Sequence, residues 1–269
     1  MERIKHALEL AKQHQKVSNA EPQTVEIQTE KEPKQPQYSE TRVEILDKSH
    51  LEKNRIVAHN KNDYWSLPFD ILRTQVLAKM KENGWRTIAI SSPIPECGKS
   101  VVAINLAMSI AQHTTTTAML VDFDLRRPRV GQYLGLSKEI SFNNVLAGDV
   151  ELSEALVNPS IPRFVVLPTA KPIAHSSEVL SSQKVQNLIS EMRNRYEDRI
   201  ILFDLPPILG ADDAITMMSQ VDCILLVVAN GAVSENQLQE SMRHIRRDKL
   251  LGTVLNKSES NQENFYGYD

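Results

Sequence analysis

Cysteine, aromatic residues and long apolar runs are all scarce in this chain of 269 residues. Its two cysteines, Cys97 and Cys223, lie far apart, which excludes a disulfide framework and favours reduced thiols of a cytosolic protein. No apolar run approaches the roughly 20 residues of a membrane-spanning helix. The first residues are charged, unlike those of a secretory signal. We therefore expect a soluble, cytoplasmic protein that reaches a membrane only through a partner.

An excess of basic charge is also missing. The chain has 31 Lys and Arg against 34 Asp and Glu, a net charge of −3. Nucleic acid is therefore not an expected partner. The hydrophobic fraction of 41% is enough for a core, and the length favours one sizeable domain with tails.

The composition divides the chain into three parts. Residues 1–60 are predicted to be a short helix followed by a polar, Pro-containing linker, so this N-terminal segment is expected to be largely disordered. The helix is expected within residues 1–16, where apolar residues recur on one face. Residues 61–257 form the predicted folded domain, and residues 258–269 a flexible tail with two tyrosines.

Short apolar segments alternate with helical patterns in the predicted domain. This alternation predicts an α/β fold, a mostly parallel sheet with helices on both faces. Ligands in such sheets bind at the carboxyl ends of the strands. The predicted strands are 86–92, 117–123, 164–168, 199–205, 223–229 and 250–256, and the predicted helices are 66–83, 99–112, 178–195, 210–219 and 234–246.

A phosphate-binding turn is predicted where the first of these strands meets a helix. Gly98-Lys99-Ser100 follows a Pro-broken turn, although the strict motif would have glycine where Pro93 stands. A helix start offers unpaired N–H groups and partial positive charge to a polyphosphate. Lys99 would reach the β- and γ-phosphates, and the Ser100 hydroxyl would hold Mg²⁺. The expected amide donors are those of Glu96, Cys97, Gly98, Lys99 and Ser100.

Carboxylates stand at the ends of two other strands. Asp122 and Asp124 are two residues apart on one side of an extended chain, and Asp204 ends a further apolar strand. Mg²⁺ bridging to phosphate would neutralise such a group. Asp124 could instead belong to an acidic surface turn, and Asp204 could merely terminate its strand before two prolines. Asn256 emerges at the same edge and could read adenine, although Asn is also a common turn residue.

Three motifs in this order resemble those of the bacterial tyrosine kinases of capsule and exopolysaccharide systems. They are residues 95–100, the run Asp-x-Asp-x-Arg-Arg-Pro at 122–128, and hydrophobic-Asp-x-Pro-Pro at 203–207. The resemblance covers residues 64–257 and implies a P-loop NTPase-like fold that binds ATP and Mg²⁺. It also implies ATP contacts by Pro95, Val101 and Arg126.

The same resemblance implies roles for the site residues. Ser100, Asp122, Asp124 and Asp204 would hold or orient Mg²⁺, Lys99 would bind phosphate, and Asp122 would accept the proton of the attacking tyrosine. The residues themselves do not indicate which aspartate is the base. Tyr266 and Tyr268 would be the phosphoacceptors. The implied partners are a membrane chain-length determinant protein that holds the kinase at the inner membrane, other copies of the chain, and a phosphotyrosine phosphatase.

The chain departs from the family pattern in three places. In the phosphate-binding turn, Glu96 and Cys97 replace the common Gly-Glu. The tail has two tyrosines where the family usually has a longer tyrosine cluster. Of the family's assembly motif, Glu-x-x-Arg-x-x-Arg, only the last position matches, at Arg73. These departures keep open a non-catalytic nucleotide switch in the same system. A partitioning or positioning ATPase is a further alternative, but that class needs a lysine where Ile94 stands.

Overall fold

The structure, a computed structural model, describes residues 41–112, 116–195 and 198–258. Its strands form one sheet in the order β1-β4-β5-β3-β6-β2-β7-β8. Every pair of neighbouring strands in this sheet is parallel except β4 and β5. The strands are β1 Arg42–Val43, β2 Thr87–Ser91, β3 Thr117–Asp122, β4 Val157–Asn158, β5 Phe164–Leu167, β6 Arg199–Asp204, β7 Cys223–Ala229 and β8 Leu250–Asn256.

Helices cover both faces of the sheet. A short 3-10 helix, Tyr64–Ser66, precedes the second α-helix. The α-helices are α1 Lys48–Lys53, α2 Leu67–Asn83, α3 Lys99–Ala111, α4 Val130–Leu134, α5 Phe142–Ala147, α6 Leu152–Ala155, α7 Ser176–Ser181, α8 Gln183–Asn194, α9 Asp212–Gln220 and α10 Glu235–Arg243. None of the helices in the described part of the chain has the length and apolar character needed to cross a membrane.

The core lies on both sides of the central strands, whose residues are buried throughout β2, β3, β6 and β7. Alternate residues of a strand point to opposite faces. Ile88 and Leu120 therefore pack on one side with α3, whereas Met119 and Phe203 pack on the other side with α8 and α9. Burial on both faces explains the continuous apolar runs. The predicted parallel α/β fold is confirmed.

The sheet register fixes where the site forms. Asp122 of β3 pairs directly with Asp204 of β6, and Ile90 of β2 pairs with the same Asp204 on the other side. All three strands run in the same direction, so their carboxyl ends meet at one edge. The residues that follow these ends are consequently brought together.

The prediction of a single helix at 178–195 is wrong, because the structure has two helices there, α7 and α8. Ser182 has an extended ψ of 149° between α7 and α8, and its side chain caps α8 by accepting a hydrogen bond from the amide of Val185. The serine hydroxyl competes with helical hydrogen bonding at this position and favours a cap. The chain therefore changes direction at Ser182, between α7 and α8.

The boundary of the folded part also differs from the prediction, which placed residues 1–60 in a helix and linker. Leu51, Ile56 and Ala58 are buried in the core beneath α3. Asn105 of α3 accepts hydrogen bonds from the amides of Val57 and Ala58 at 2.8 and 2.9 Å. Packing therefore begins well before residue 61. The helix predicted at 1–16 lies outside the described residues, as do Tyr266 and Tyr268.

Candidate active site

The phosphate loop, residues 93–98, leads from the β2 strand to the start of α3. Gly98 is the N-terminal cap of α3 and has a φ of 89°, a conformation that glycine adopts without cost. A Cβ atom at this position would overlap the side-chain amide of Asn256. Glu96 is exposed and has a φ of 64°, which is unusual for a residue with a side chain. Gly98 therefore leaves room for Asn256, and the loop backbone has a positive φ at both Glu96 and Gly98.

The ammonium group of Lys99 lies between the carboxylates of Asp124, which follows β3, and Asp204, which ends β6. Its Nζ atom is 2.8 Å from Oδ2 of Asp124 and 3.3 Å from Oδ1 of Asp204. All three side chains are buried. Burial alone would lower the pKa of Lys99, but attraction to Asp204 and Asp124 outweighs it and holds that pKa above its ordinary value. Lys99 is therefore charged and compensates the acidic groups at the sheet edge.

Asp122 is fully buried and only half paired. Its Oδ2 atom accepts hydrogen bonds from the backbone amides of Arg129 and Val130, at 3.0 and 2.9 Å. Its Oδ1 atom has no hydrogen-bond partner among the described residues. Burial, followed by repulsion from Asp204, raises the pKa of Asp122 well above its ordinary value. This carboxyl group thus has a free oxygen and a raised affinity for a proton.

Ser100 joins the phosphate loop to the end of β6. Its hydroxyl donates a hydrogen bond of 2.5 Å to Oδ2 of Asp204 and lies 3.3 Å from Nζ of Lys99. Burial raises the pKa of Asp204, although Lys99 and Ser100 oppose that rise. Ser100, Lys99 and Asp204 therefore form one connected polar cluster.

The four predicted metal ligands are not arranged as a ready-made metal site. Within 41–112, 116–195 and 198–258, no group of three or more His, Cys, Asp or Glu is placed to hold a metal ion. The Lys99 ammonium neutralises Asp124 and Asp204 instead. Mg²⁺, however, usually takes one or two carboxylates, waters and substrate phosphate oxygens. A serine hydroxyl, buried carboxylates and the unpaired Oδ1 of Asp122 fit such a shared ion.

Asn256, predicted to read adenine, holds the phosphate loop. Its Nδ2 atom donates a hydrogen bond of 2.9 Å to the carbonyl oxygen of Cys97. The bond connects the end of β8 to the loop that precedes α3. Of the other predicted ATP contacts, Pro95 is exposed on the loop and Val101 packs partly against the core at the start of α3.

Arg126, the remaining predicted ATP contact, forms ion pairs with two aspartates at the start of α9. Its NH2 atom lies 2.9 Å from Oδ1 of Asp213 and 3.0 Å from Oδ1 of Asp212. Its Nε atom donates to Ser176 Oγ at 3.2 Å and to Asp213 Oδ2 at 3.3 Å. A cavity of about 490 Å³ borders this cluster, and its wall includes His175 and Glu178.

Sequence reasoning missed Asp213. Its sequence, Ala-Asp-Asp at a helix start, is typical of an ordinary N-terminal turn, and the residue lies 87 positions from Arg126. Asp213 is fully buried in the structure, but nothing in the sequence around it indicates that its partner is Arg126. Only the arrangement of the strands brings the pair together.

Comparisons with known proteins identify the family. The AAA domain model matches residues 85–256. The tyrosine-protein kinase YwqD of Bacillus subtilis is 28% identical over 82% of this chain and 92% of its own length. The tyrosine-protein kinase ptk of Acinetobacter johnsonii is 30% identical over 81% of this chain, which spans 29% of that protein's length. The chain belongs to the AAA domain family, and it is similar to bacterial proteins named tyrosine-protein kinases.

A solved bacterial tyrosine kinase has the same fold. The kinase domain of the Escherichia coli tyrosine kinase ETK matches with a TM-score of 0.67 and 26% identity, over 77% of this chain and 82% of that domain. The family resemblance of the three motifs is therefore confirmed, and so is the fold that it implied.

Proposed function

We propose that this chain is a protein-tyrosine kinase that uses ATP and Mg²⁺ and phosphorylates tyrosines of its own tail, Tyr266 and Tyr268. The observation that carries the proposal is the position of Lys99 between Asp124 and Asp204, next to the buried Asp122. Phosphoryl transfer depends mainly on positioning and on charge compensation around the phosphates. One ammonium group and three carboxylates at one sheet edge provide both.

The phosphate loop and Lys99 would bind the phosphates of ATP. The amides of residues 96–100 supply donors at the start of α3, where the helix also presents partial positive charge. Lys99 would exchange some of its contact with Asp124 and Asp204 for phosphate oxygens. Both partners of Lys99 are anionic, so the exchange keeps its charge compensated.

Ser100, Asp122, Asp124 and Asp204 would hold Mg²⁺ directly or through its waters. When bound, the ion neutralises charge that develops on the phosphate oxygens. The connected contacts of Ser100, Asp204 and Lys99 keep these groups within reach of one another. Burial of Asp204 strengthens its electrostatic interaction with a cation.

Asp122 would accept the proton of the tyrosine hydroxyl at its Oδ1 atom. Asp122 and Asp204 are both fully buried and both have a raised pKa. The unpaired Oδ1 atom supports Asp122, because both oxygens of Asp204 accept hydrogen bonds, from Lys99 and Ser100. Asp124 is occupied by Lys99 and by the amide of Arg127, at 2.8 and 3.0 Å. A base is most effective when its pKa approaches the working pH, so a raised value favours proton transfer.

The length of the tail would allow its tyrosines to be phosphorylated by another copy of the chain. Residues 257–268 span at most roughly 40 Å when fully extended. Each phosphate adds about −1.5 to −2 charges near neutral pH and would repel other modified tails. We therefore include self-association in the proposal, with phosphorylation weakening it.

The cellular setting rests on the family resemblance. The chain would regulate capsule or exopolysaccharide synthesis from the cytoplasmic side of the inner membrane, held there by a membrane chain-length determinant protein. A phosphotyrosine phosphatase would reverse the modification.

The deciding experiment is incubation with γ-labelled ATP and Mg²⁺, followed by phosphoamino-acid analysis. We expect labelled tyrosine in the wild type, none in Lys99→Met, and little in the double variant Tyr266→Phe/Tyr268→Phe. Tyr64→Phe is the matched control, because Tyr64 is a half-exposed tyrosine of the folded domain, and it should keep full labelling. A wild type that binds ATP without labelling tyrosine would support the non-catalytic switch instead.

A further inference from the structure

An ion pair outside the phosphate loop, between the half-exposed Arg126 and the buried Asp213, links the loop that follows β3 to the segment that follows β6. Asp213 is completely buried, and both of its carboxylate oxygens contact the guanidinium group of Arg126, at 2.9 and 3.3 Å. Arg126 is also held by the hydroxyl of the buried Ser176, at 3.2 Å from its Nε atom. Two donors converging on one carboxylate give this contact a fixed orientation.

The places of the two residues in the chain give the pair its significance. Arg126 follows Asp122 and Asp124 directly after β3, whereas Asp213 lies in the first turn of α9, which follows Asp204 and β6. The loop between Asp204 and α9 is itself attached to the site, because the amide of Ile208 donates to the carbonyl oxygen of Ser92 at 2.8 Å. The ion pair therefore connects the loop of Asp124 to a segment fixed beside the phosphate loop.

We propose that Asp213 is a positioning residue for phosphoryl transfer, which acts through Arg126 to keep Asp124 against Lys99 and opposite Asp204. This inference rests on the proposed kinase function. Asp124 contacts Lys99 at 2.8 Å, and small displacements of the loop that follows β3 would change that contact. Misplacement of reacting groups by about 1 Å costs up to about a hundredfold in rate.

The amides expected to bind phosphate, those of residues 96–100, lie in the phosphate loop and at the start of α3, and none of them contacts Asp213 or Arg126 in the described part of the chain. Loss of Asp213 should therefore affect kcat much more than nucleotide binding. A purely structural role would instead reduce the amount of folded protein and leave the kinetics of the folded fraction unchanged.

The neighbouring Asp212 is a matched control. It carries the same charge and lies 3.0 Å from the same NH2 atom of Arg126, but its side chain is 69% exposed. Exposed ion pairs contribute little, because water screens them and the side chains lose rotamer freedom. Asp212→Asn should therefore leave the rate within about twofold of the wild type.

The experiment compares Asp213→Asn, Asp212→Asn, Arg126→Gln and the double variant Arg126→Gln/Asp213→Asn. Phosphotyrosine and ADP formation are measured together, with the Kd of a fluorescent ATP analogue and the unfolding temperature of each variant. We expect kcat to fall at least about tenfold in Asp213→Asn and in Arg126→Gln, with Kd changed by less than about twofold. Because the two residues act as a unit, kcat of the double variant should be no lower than that of the worse single variant.

Several results would overturn the inference: equal losses in Asp212→Asn and Asp213→Asn, multiplied losses in the double variant, or a rise in Kd that accounts for the lost rate. If Asp213→Asn does not fold, Arg126→Gln decides, since it removes the same ion pair while Asp213 stays in place; a kcat within about twofold of the wild type would then overturn the inference. A wild type that forms ADP without phosphotyrosine refutes the kinase function alone, and the comparison is then read on ADP formation. A wild type that forms neither product refutes both proposals.

Discussion

The side-chain amide of Asn256 donates a hydrogen bond to the carbonyl oxygen of Cys97, with 2.9 Å between the nitrogen and the oxygen. The bond attaches the phosphate loop to the last strand of the sheet. It also explains why Gly98 carries no side chain, because a Cβ atom would occupy the place of that amide. The loop is consequently shaped from two sides, by α3 and by β8.

The substitution Asn256→Ala should loosen the phosphate loop. We expect ATP affinity to fall about fivefold and the free energy of unfolding to drop by about 1 kcal/mol, the usual contribution of one hydrogen bond. Titration with an ATP analogue and urea denaturation measure the two effects. Asn83→Ala is the control, because Asn83 makes a similar bond of 2.8 Å to the carbonyl oxygen of Lys79 on exposed α2. Equal affinity losses in both variants would contradict the expectation.

The substitution Glu96→Gly should tighten ATP binding. Glu96 has a φ of 64°, a region that costs an ordinary residue about 1 kcal/mol and glycine almost nothing, and it places a carboxylate near phosphate. Glu96→Ala separates the two effects, since it removes the charge but keeps the backbone cost. We expect calorimetry to give the order Gly, Ala, wild type from tightest to weakest. An unchanged dissociation constant in Glu96→Gly would refute this.

The substitution Lys99→Met should destabilise the protein without nucleotide. It would leave Asp122, Asp124 and Asp204 buried without the cation that now compensates them. Removing one partner of a buried ion pair costs about 3–5 kcal/mol. Millimolar Mg²⁺ should raise the unfolding temperature of Lys99→Met more than that of the wild type. Lys79→Met serves as the control, because Lys79 is exposed and bonds to the carbonyl oxygen of Leu251.

Asp222 should make stability depend on pH in the acid range. Burial alone would raise its pKa, but hydrogen bonds from the amides of Arg86 and Thr87 and the charge of Arg193 lower it below its ordinary value of 3.8. A carboxyl group whose pKa is lowered by folding stabilises the folded state at pH values above its ordinary pKa. That stabilisation is lost as the pH falls through the pKa of the folded state.

Asp222→Asn should therefore lower the free energy of unfolding by about 2 kcal/mol at pH 7, as expected for hydrogen bonds to a charged group. The difference in the free energy of unfolding between Asp222→Asn and the wild type should shrink as the pH falls below 3.8. Denaturant unfolding at a series of pH values measures it. A difference that grows towards low pH would contradict the assignment.

Much of the fold and the central site followed from the sequence because the signals are local. Continuous apolar runs such as residues 223–229 identify strands buried on both faces, and Asp122 and Asp204 directly follow such runs. The strand order then brings the strand ends together. Lys99, Ser100, Asp122, Asp124 and Asp204 were accordingly predicted, and they form one cluster.

The remaining features depend on distant contacts or on backbone geometry. The β1 and β4 strands have two residues each, too few for any periodic pattern. The positive φ of Glu96 cannot be read from residue types, since glutamate rarely adopts it. The partner of Arg126 is a helix-start aspartate 87 residues away. These features arise from tertiary packing, which a single sequence does not report.

The early packing of the chain limits where it can be shortened. A truncated protein that started at residue 61 would lose Leu51, Ile56 and Ala58 from the core, together with the amides that satisfy Asn105. Apolar surface of α3 would then face water, and a buried carboxamide would lack two of its donors. Such a fragment would be prone to aggregate, so domain boundaries for crystallisation or complex formation belong before Arg42, ahead of the first strand.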